Sequence, residues 1–183
     1  MFSHLKLTAT AVALALTTPA FAVENPTVGG AAMMVEMNIV ENALNSPIHT
    51  TLVAAVVAAE LVDTLASAGP FTVFAPVNTA FEALPEGTVE TLLKPENKAT
   101  LVKILTAHVV SGNWSGAAIM AEVVKNGGAF QFDAVSGDTL WAKIEDGKLY
   151  IVDESGGAAE ITIADVNQSN GVIHVIDKVL LPE

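Results

Sequence analysis

The run "NGVIHVIDKVLLP", from Asn170 to Pro182, sets an imidazole and a carboxylate, His174 and Asp177, inside an otherwise apolar stretch. A neutral imidazole can move a proton or ligate a metal, and a carboxylate can orient it. Alternation along a strand puts Val172, His174, Ile176 and Lys178 on one face and Ile173, Val175, Asp177 and Val179 on the other. Both faces are apolar at the centre, so the strand is expected to be buried on both sides, where an unpartnered histidine would cost roughly 2 kcal/mol or more. His174 therefore reads as a satisfied structural histidine, with catalysis or metal binding as the sharper alternative. His108 is the second candidate. Leu101, Ile104, Leu105 and His108 follow i, i+3, i+4, i+7, which places the imidazole at the C-terminal end of a buried helical stripe. There it can satisfy the last carbonyls, and it is expected to act as a polar pin joining helix to sheet.

Other chemistries lack their signatures. His49, His108 and His174 form no HxxxH pair, and the chain contains no cysteine, so no zinc site is expected. Asp133, Asp138, Asp146, Asp153 and Glu154 are scattered over turns without the DxDxDG order that calcium uses. Gly112-Asn113-Trp114-Ser115-Gly116 is not a GxSxG elbow, and no GxGxxG or GxxxxGK[ST] loop occurs. No nucleophile has an evident activating base. Neither an enzyme nor a cofactor is expected. Asn113-Trp114-Ser115 and Asn167-Gln168-Ser169 are formal glycosylation sequons, meaningful only in a host that glycosylates secreted asparagines.

The elements that must position these residues fall into two halves. From about Met34 to Ala107 the apolar spacing is helical: Asn38 to Leu44, then Thr50 to Ala68, where Leu52, Val53, Val56, Val57, Leu61 and Leu65 form a broad stripe ended by Gly69-Pro70. A short strand, Phe71 to Phe74, follows. Asn78 or Thr79 can cap the next helix, Thr79 and Glu82 standing at capping-box spacing. Further helices are expected over Thr88 to Leu93 and Asn97 to about Ala107. The second half changes to a period of two. Phe130 to Asp133, Thr139 to Ile144, Leu149 to Val152, Ile161 to Ile163 and Val172 to Ile176 read as strands separated by turns. Helices followed by strands imply an α+β domain.

The 183 residues are 51% hydrophobic and only 15% charged, which suits one globular domain. The first 22 residues carry Lys6, the run Ala11 to Leu16 and the ending Ala20-Phe21-Ala22, the pattern of a signal peptide cleaved after Ala22. Residues 23–33 read as a short Pro/Gly linker and 34–183 as the domain. No second stretch approaches the roughly 20 apolar residues of a membrane helix. No lipid or GPI anchor signal follows the leader, so a soluble secreted or periplasmic product is expected. The formal charge of −12 disfavours nucleic acid. Every basic residue is lysine, which removes the planar fork that grips phosphate bidentately.

Three ordered stretches resemble the fasciclin, or FAS1, domain family. "GPFTVFAPVNTAFEALP" (Gly69 to Pro85), "LVKILTAHVVSG" (Leu101 to Gly112) and "NGVIHVIDKVLLP" are similar to its first box, its central tyrosine-histidine motif and its second box. The resemblance covers roughly Asn38 to Pro182. It implies a β-sheet wedge packed with a bundle of short helices, no enzymatic activity, and a secreted or surface-exposed module that mediates adhesion through protein contacts. His108 stands at the motif's histidine, with Ala107 replacing the tyrosine. Asn78 stands where an acidic or amide residue follows Phe-Ala-Pro. Ala164-Asp165-Val166 resembles the segment that some animal members use for integrin binding, which implies binding roles for Asp165 and Val166 alongside His108. The alanine-rich leader suggests a bacterial exported protein, for which an integrin is not the expected partner.

Two readings from different classes follow. One is an adhesion or protein-interaction module whose partner is an extracellular or cell-surface protein, with His174, Asp177 and Asn78 serving structure. The other is a carrier of an apolar small molecule such as a carotenoid or lipid, because a few FAS1 proteins resemble pigment-binding proteins that hold a carotenoid between helices and sheet. Met33, Met34, Met37 and Ile39, with Ile119 and Met120, are the candidate contacts for such a ligand.

Overall fold

The computed structural model describes residues 25–182. The expected leader and its cleavage after Ala22 lie outside the described residues. Among the described residues, seven short helices and seven strands alternate unevenly: α1 (Ile39–Asn45), α2 (Thr50–Ala58), α3 (Val62–Ala66), β1 (Phe71–Pro76), α4 (Asn78–Glu82), α5 (Thr88–Leu92), α6 (Lys98–Ala107), β2 (Val109–Ser111), α7 (Gly116–Lys125), β3 (Ala129–Asp133), β4 (Thr139–Glu145), β5 (Lys148–Val152), β6 (Ala158–Gln168) and β7 (Gly171–Ile176). A 3-10 turn, Pro95–Asn97, leads into α6.

The strands form one sheet in the order β2-β1-β7-β6-β5-β4-β3. Only β1 and β7 run parallel, from Phe71 opposite Gly171 to Pro76 opposite Ile176. Just beyond β3, Ala134 bridges Val110 of β2, so the two ends of the strand order meet and neither outer edge stays fully open. Gly171 is required at its place, because a Cβ there would overlap the Phe71 carbonyl.

The parallel pair divides the interior. Val73, Ala75, Ile173 and Val175 face a core built with α1, α2, α3 and α6. Phe74 and Ile176 face a second core built with α7 and with Phe132, Leu140, Ala142 and Ile151 of β3 to β5. All six residues of β7 are buried, as expected of a strand covered on both sides.

Four local features differ from the periodicity. The stretch expected as one helix over Thr50 to Ala68 breaks at Glu60, which adopts a left-handed φ of 57°. The Leu61 amide closes on the Val56 carbonyl at 3.0 Å, a Schellman-type ending that redirects the chain so that Leu65 still reaches the core. Val57, placed in the buried stripe by spacing, is 58% exposed. The Thr79 and Glu82 box does not form, because α4 already begins at Asn78. The box is found instead at α1, where Asn38 Oδ1 accepts from the Glu41 amide at 3.0 Å and Glu41 Oε2 accepts from the Asn38 amide at 2.8 Å. Helix α7 was not expected from periodicity; Ser115 caps it, accepting from the Ala118 amide at 3.2 Å.

The N-terminal stretch expected as a linker is, over its described part, docked on the domain. Asn25 Nδ2 donates to the Asn167 carbonyl at 2.6 Å, Asn25 Oδ1 accepts from the Asn167 amide at 2.8 Å, and Val28 and Met33 are buried.

Candidate functional site

The residues that attracted attention as chemistry are held by internal hydrogen bonds. In β7, His174 is wholly buried and stacks on Phe74, with ring centroids 5.9 Å apart. Its Nδ1 accepts from the Asp165 amide at 3.3 Å and its Nε2 donates to the Trp114 carbonyl at 2.7 Å, which fixes one neutral tautomer. Burial pushes its pKa down, only partly offset by the Trp114 carbonyl and the Asp165 carboxylate. Asp177 sits at the exposed end of the strand, where its carboxylate accepts from the Glu160 amide of β6 at 2.7 Å. The motif's Asn170 reaches in two directions. Its Oδ1 accepts from the Ile39 amide at the start of α1, and its Nδ2 donates to the Leu65 and Ser67 carbonyls at the end of α3.

His108 caps α6 as its spacing suggests, with Nδ1 donating to the Ile104 carbonyl at 2.8 Å. Its Nε2 accepts from the Leu180 amide at 2.9 Å, so the pin joins α6 to the C-terminal tail and not to a strand. Burial lowers its pKa to about 4 against the opposing effects of the Ile104 carbonyl and Asp153. Asp153 holds the next residue of the tail, accepting from the Leu181 amide at 2.8 Å. Asn78 serves a neighbouring helix: its Oδ1 accepts from the Thr51 amide at 3.1 Å in the first turn of α2, and its Nδ2 donates to the Pro47 carbonyl. Asp165 has a left-handed φ of 59°, and its carboxylate accepts from the Gly116 amide at 2.7 Å, at the N-terminus of α7. Val166 is buried in the helix-side core.

Two features remain that internal bonding does not account for. The first is a surface. On α7, Gly116, Ile119 and Val123 turn inward, while Ala117, Met120, Ala121 and Val124, again at i, i+3, i+4, i+7, are all exposed. Met120 is 40% and Val124 73% exposed. A helix in contact with one core needs one apolar stripe; this helix has two.

The second is a cavity of about 140 Å³ between α1 to α3 and the helix-side face of β1 and β7. Protein interiors leave few voids larger than a water molecule, and an engineered apolar cavity of about 150 Å³ stays dry and accepts benzene. Its wall includes Met33, Ile39 and Val166. Of the apolar residues expected to contact a ligand, Ile119 belongs to the other core and Met34 and Met120 are exposed. Met37 lies half-buried beside Asn45, whose Nδ2 donates to its sulfur at 3.4 Å. The structure therefore does not bring the expected set together. Sequence reasoning passed over the wall that α2 supplies, although one signal was present: Thr50 to Ala58 is apolar almost all round, more than one packed face requires.

Four polar side chains stand on that wall: Asn42, Ser46, His49 and His108. Asn42 bonds to both backbone groups of Met34 and to the Gln168 side chain. Ser46 Oγ pairs with His49 Nδ1 at 2.7 Å. His49 is almost wholly buried, and beyond its Ser46 contact the ring meets the Ala75 carbonyl. Desolvation lowers its pKa, and the Ala75 carbonyl nearby offsets this only in part. Among the described residues no cluster of His, Asp or Glu could hold a metal ion, and no helix is long and apolar enough to cross a membrane.

Comparison with known proteins places this architecture. The fasciclin domain family model matches residues 47–182. Protein sll1483 of Synechocystis sp. is 52% identical over 146 residues, covering 80% of this chain and 74% of that protein. The immunogenic protein MPB70 of Mycobacterium bovis is 35% identical over 169 residues, covering 88% of this chain and 78% of the other. Among solved structures, a FAS1 domain pair from the insect cell adhesion molecule fasciclin I superposes with a TM-score of 0.70 at 17% identity, over 79% of this chain and 51% of that one. The sheet wedge, the helices around it and the three motifs at its centre agree with these matches, and the chain belongs to the fasciclin (FAS1) domain family.

Proposed function

We propose that this chain is a non-enzymatic, exported FAS1 module that mediates adhesion or protein interaction at a cell surface or in the extracellular space. The observation that carries the reading is the outward stripe of α7, an ordered helix that presents Met120 and Val124 to solvent on an otherwise acidic molecule. Asp165 enters the reading as the residue that fixes the N-terminus of that helix, and His108 and His174 hold the frame behind it. The adhesion molecule whose FAS1 pair shares the fold supports the same class of role. The partner is a protein of the cell envelope or the extracellular medium. The signal-like leader supports a secreted or periplasmic location.

The test is adhesion itself. Beads coated with the protein are mixed with cells of its own source, and attachment is counted for the wild type and for a Met120→Ser, Val124→Asp variant. Attachment is expected to fall about tenfold in the variant, the effect of losing one interface anchor, with its thermal midpoint unchanged. Equal attachment of variant and wild type contradicts the reading.

A second reading, the carrier of an apolar molecule, has the cavity in its favour. The enclosed volume fits a single ring or a short chain. A whole carotenoid or long-chain lipid would have to extend beyond it, past Leu44 and Val57, which belong to the wall and are also exposed at the surface.

A further inference from the structure

We infer that the cavity between α1, α2 and α3 receives one aromatic side chain of a protein partner, carried on a segment rich in lysine or arginine. The inference rests on the reading that the partner is a protein, and adds a second contact surface on the side of the sheet away from α7. The wall of the cavity is apolar, and its four polar side chains are engaged within the protein. Asn42 bonds to Met34 and Gln168, His108 to Ile104 and Leu180, and His49 to Ser46 and the Ala75 carbonyl. The group that enters therefore has hydrocarbon alone to meet, and it is recognised by shape and burial. A volume of about 140 Å³ takes one ring, as an engineered cavity of about 150 Å³ takes benzene.

The mouth argues for a protein. Leu44 of α1 and Val57 of α2 line the cavity and are nevertheless 63% and 58% exposed. A free molecule of one ring would fill the cavity and leave both side chains in water. A phenylalanine side chain fills the same space, and the segment that carries it covers Leu44 and Val57, the arrangement of a buried anchor ringed by contacts that exclude water.

Charge decides the flanks of that segment. From Asn25 to Leu93 the chain holds seven acidic residues and neither lysine nor arginine, and every lysine of the described residues follows Leu93. Glu41 stands one turn before Leu44 on α1, Asp63 adjoins Val62 of the wall, and Glu60 lies three residues after Val57. Lys98 of α6 meets Glu60 at 2.5 Å, which still leaves these three carboxylates with a net negative charge. A basic segment is drawn to this mouth; an acidic segment or an anionic lipid surface is repelled by it.

The probes are three short peptides: phenylalanine between two pairs of lysines, alanine between the same lysines, and phenylalanine between two pairs of glutamates. Each is titrated into the full chain and followed by the methyl NMR signals of Val56 and Val166 on the cavity wall. The lysine-flanked phenylalanine peptide is expected to shift both signals and to bind about tenfold tighter than the alanine peptide, the worth of one anchor. It is also expected to bind about tenfold tighter than the glutamate peptide, to weaken as salt is raised, and to be displaced by benzene. Asp63 is exposed, and Asp63→Asn is expected to weaken the lysine peptide about threefold while benzene binds as before. Equal affinity of the lysine and glutamate peptides overturns the basic flanks. Equal affinity of the phenylalanine and alanine peptides, or binding that leaves Val56 and Val166 unmoved, overturns the anchor. If benzene shifts these signals and no peptide does, the inference fails and the carrier reading stands, while the attachment assay on the α7 variant decides separately whether the protein is an adhesion module.

Discussion

His174 and His49 sit on opposite sides of the same central strands. On the α7 side, the His174 ring is stacked on Phe74 and bonded through both nitrogens, within a core that closes around it. On the α1 to α3 side, His49 is nearly as well buried and is held by Ser46 and the Ala75 carbonyl, but the core around it leaves a cavity. Both rings have partners, and what separates them is the packing around them, closed about His174 and open beside His49. The difference teaches that a polar residue inside an apolar motif is weak support for chemistry. What matters is whether its bonding capacity has already been filled.

Replacing each histidine widens or narrows this contrast. The largest effect is expected at His174. His174→Ala leaves the Trp114 carbonyl and the Asp165 amide unpartnered and opens a void beside Phe74, so a loss of about 4 kcal/mol is expected in denaturant unfolding. Acid should come next. The folded-state pKa of His108 lies at about 4, below the ordinary 6.5, so the unfolded chain takes up a proton first as the pH falls. Stability contributed by the neutral ring is complete above pH 6.5 and is lost as the pH falls towards 4, by about 3 kcal/mol in total. His49 and His174, also lowered by burial, act in the same direction. Unfolding free energies measured between pH 7 and pH 4 should therefore fall, and the fall should be shallower in His108→Gln.

Asp165→Ala removes a carboxylate from the N-terminus of α7 and is expected to cost about 1 kcal/mol, visible as faster amide exchange in the first turn of that helix. The smallest change is expected at His49. His49→Phe gives up the contacts with Ser46 and Ala75 but replaces a desolvated polar ring by an apolar one of similar size, so the unfolding free energy should stay within about 1 kcal/mol of the wild type. A His49→Phe loss as large as that of His174→Ala would erase the distinction between the two sides.

Much of the frame was legible in the chain. The stripe ending in His108, the two-faced burial of β7 and the change from helical to strand period all follow from spacing, and the structure has them. The break at Glu60 was hidden because no glycine or proline marks it; only the need to bring Leu65 back to the sheet explains it. Helix α7 was hidden by its opening glycine, a poor residue for starting a helix of only ten residues. The cavity was illegible for a deeper reason. Periodicity says which residues face inward, whereas a void depends on how three separate helices fail to fill the space above a sheet. The bond between His108 and the tail was likewise beyond reach, since 72 residues separate its partners.

The most direct test of this division between a filled side and a side with room is methyl NMR of the protein as benzene is added. Shifts are expected in Ile39, Val56 and Val166 on the cavity wall, with Ile119, Leu140 and Ile151 of the other core unmoved. Shifts in both cores, or in neither, would contradict it.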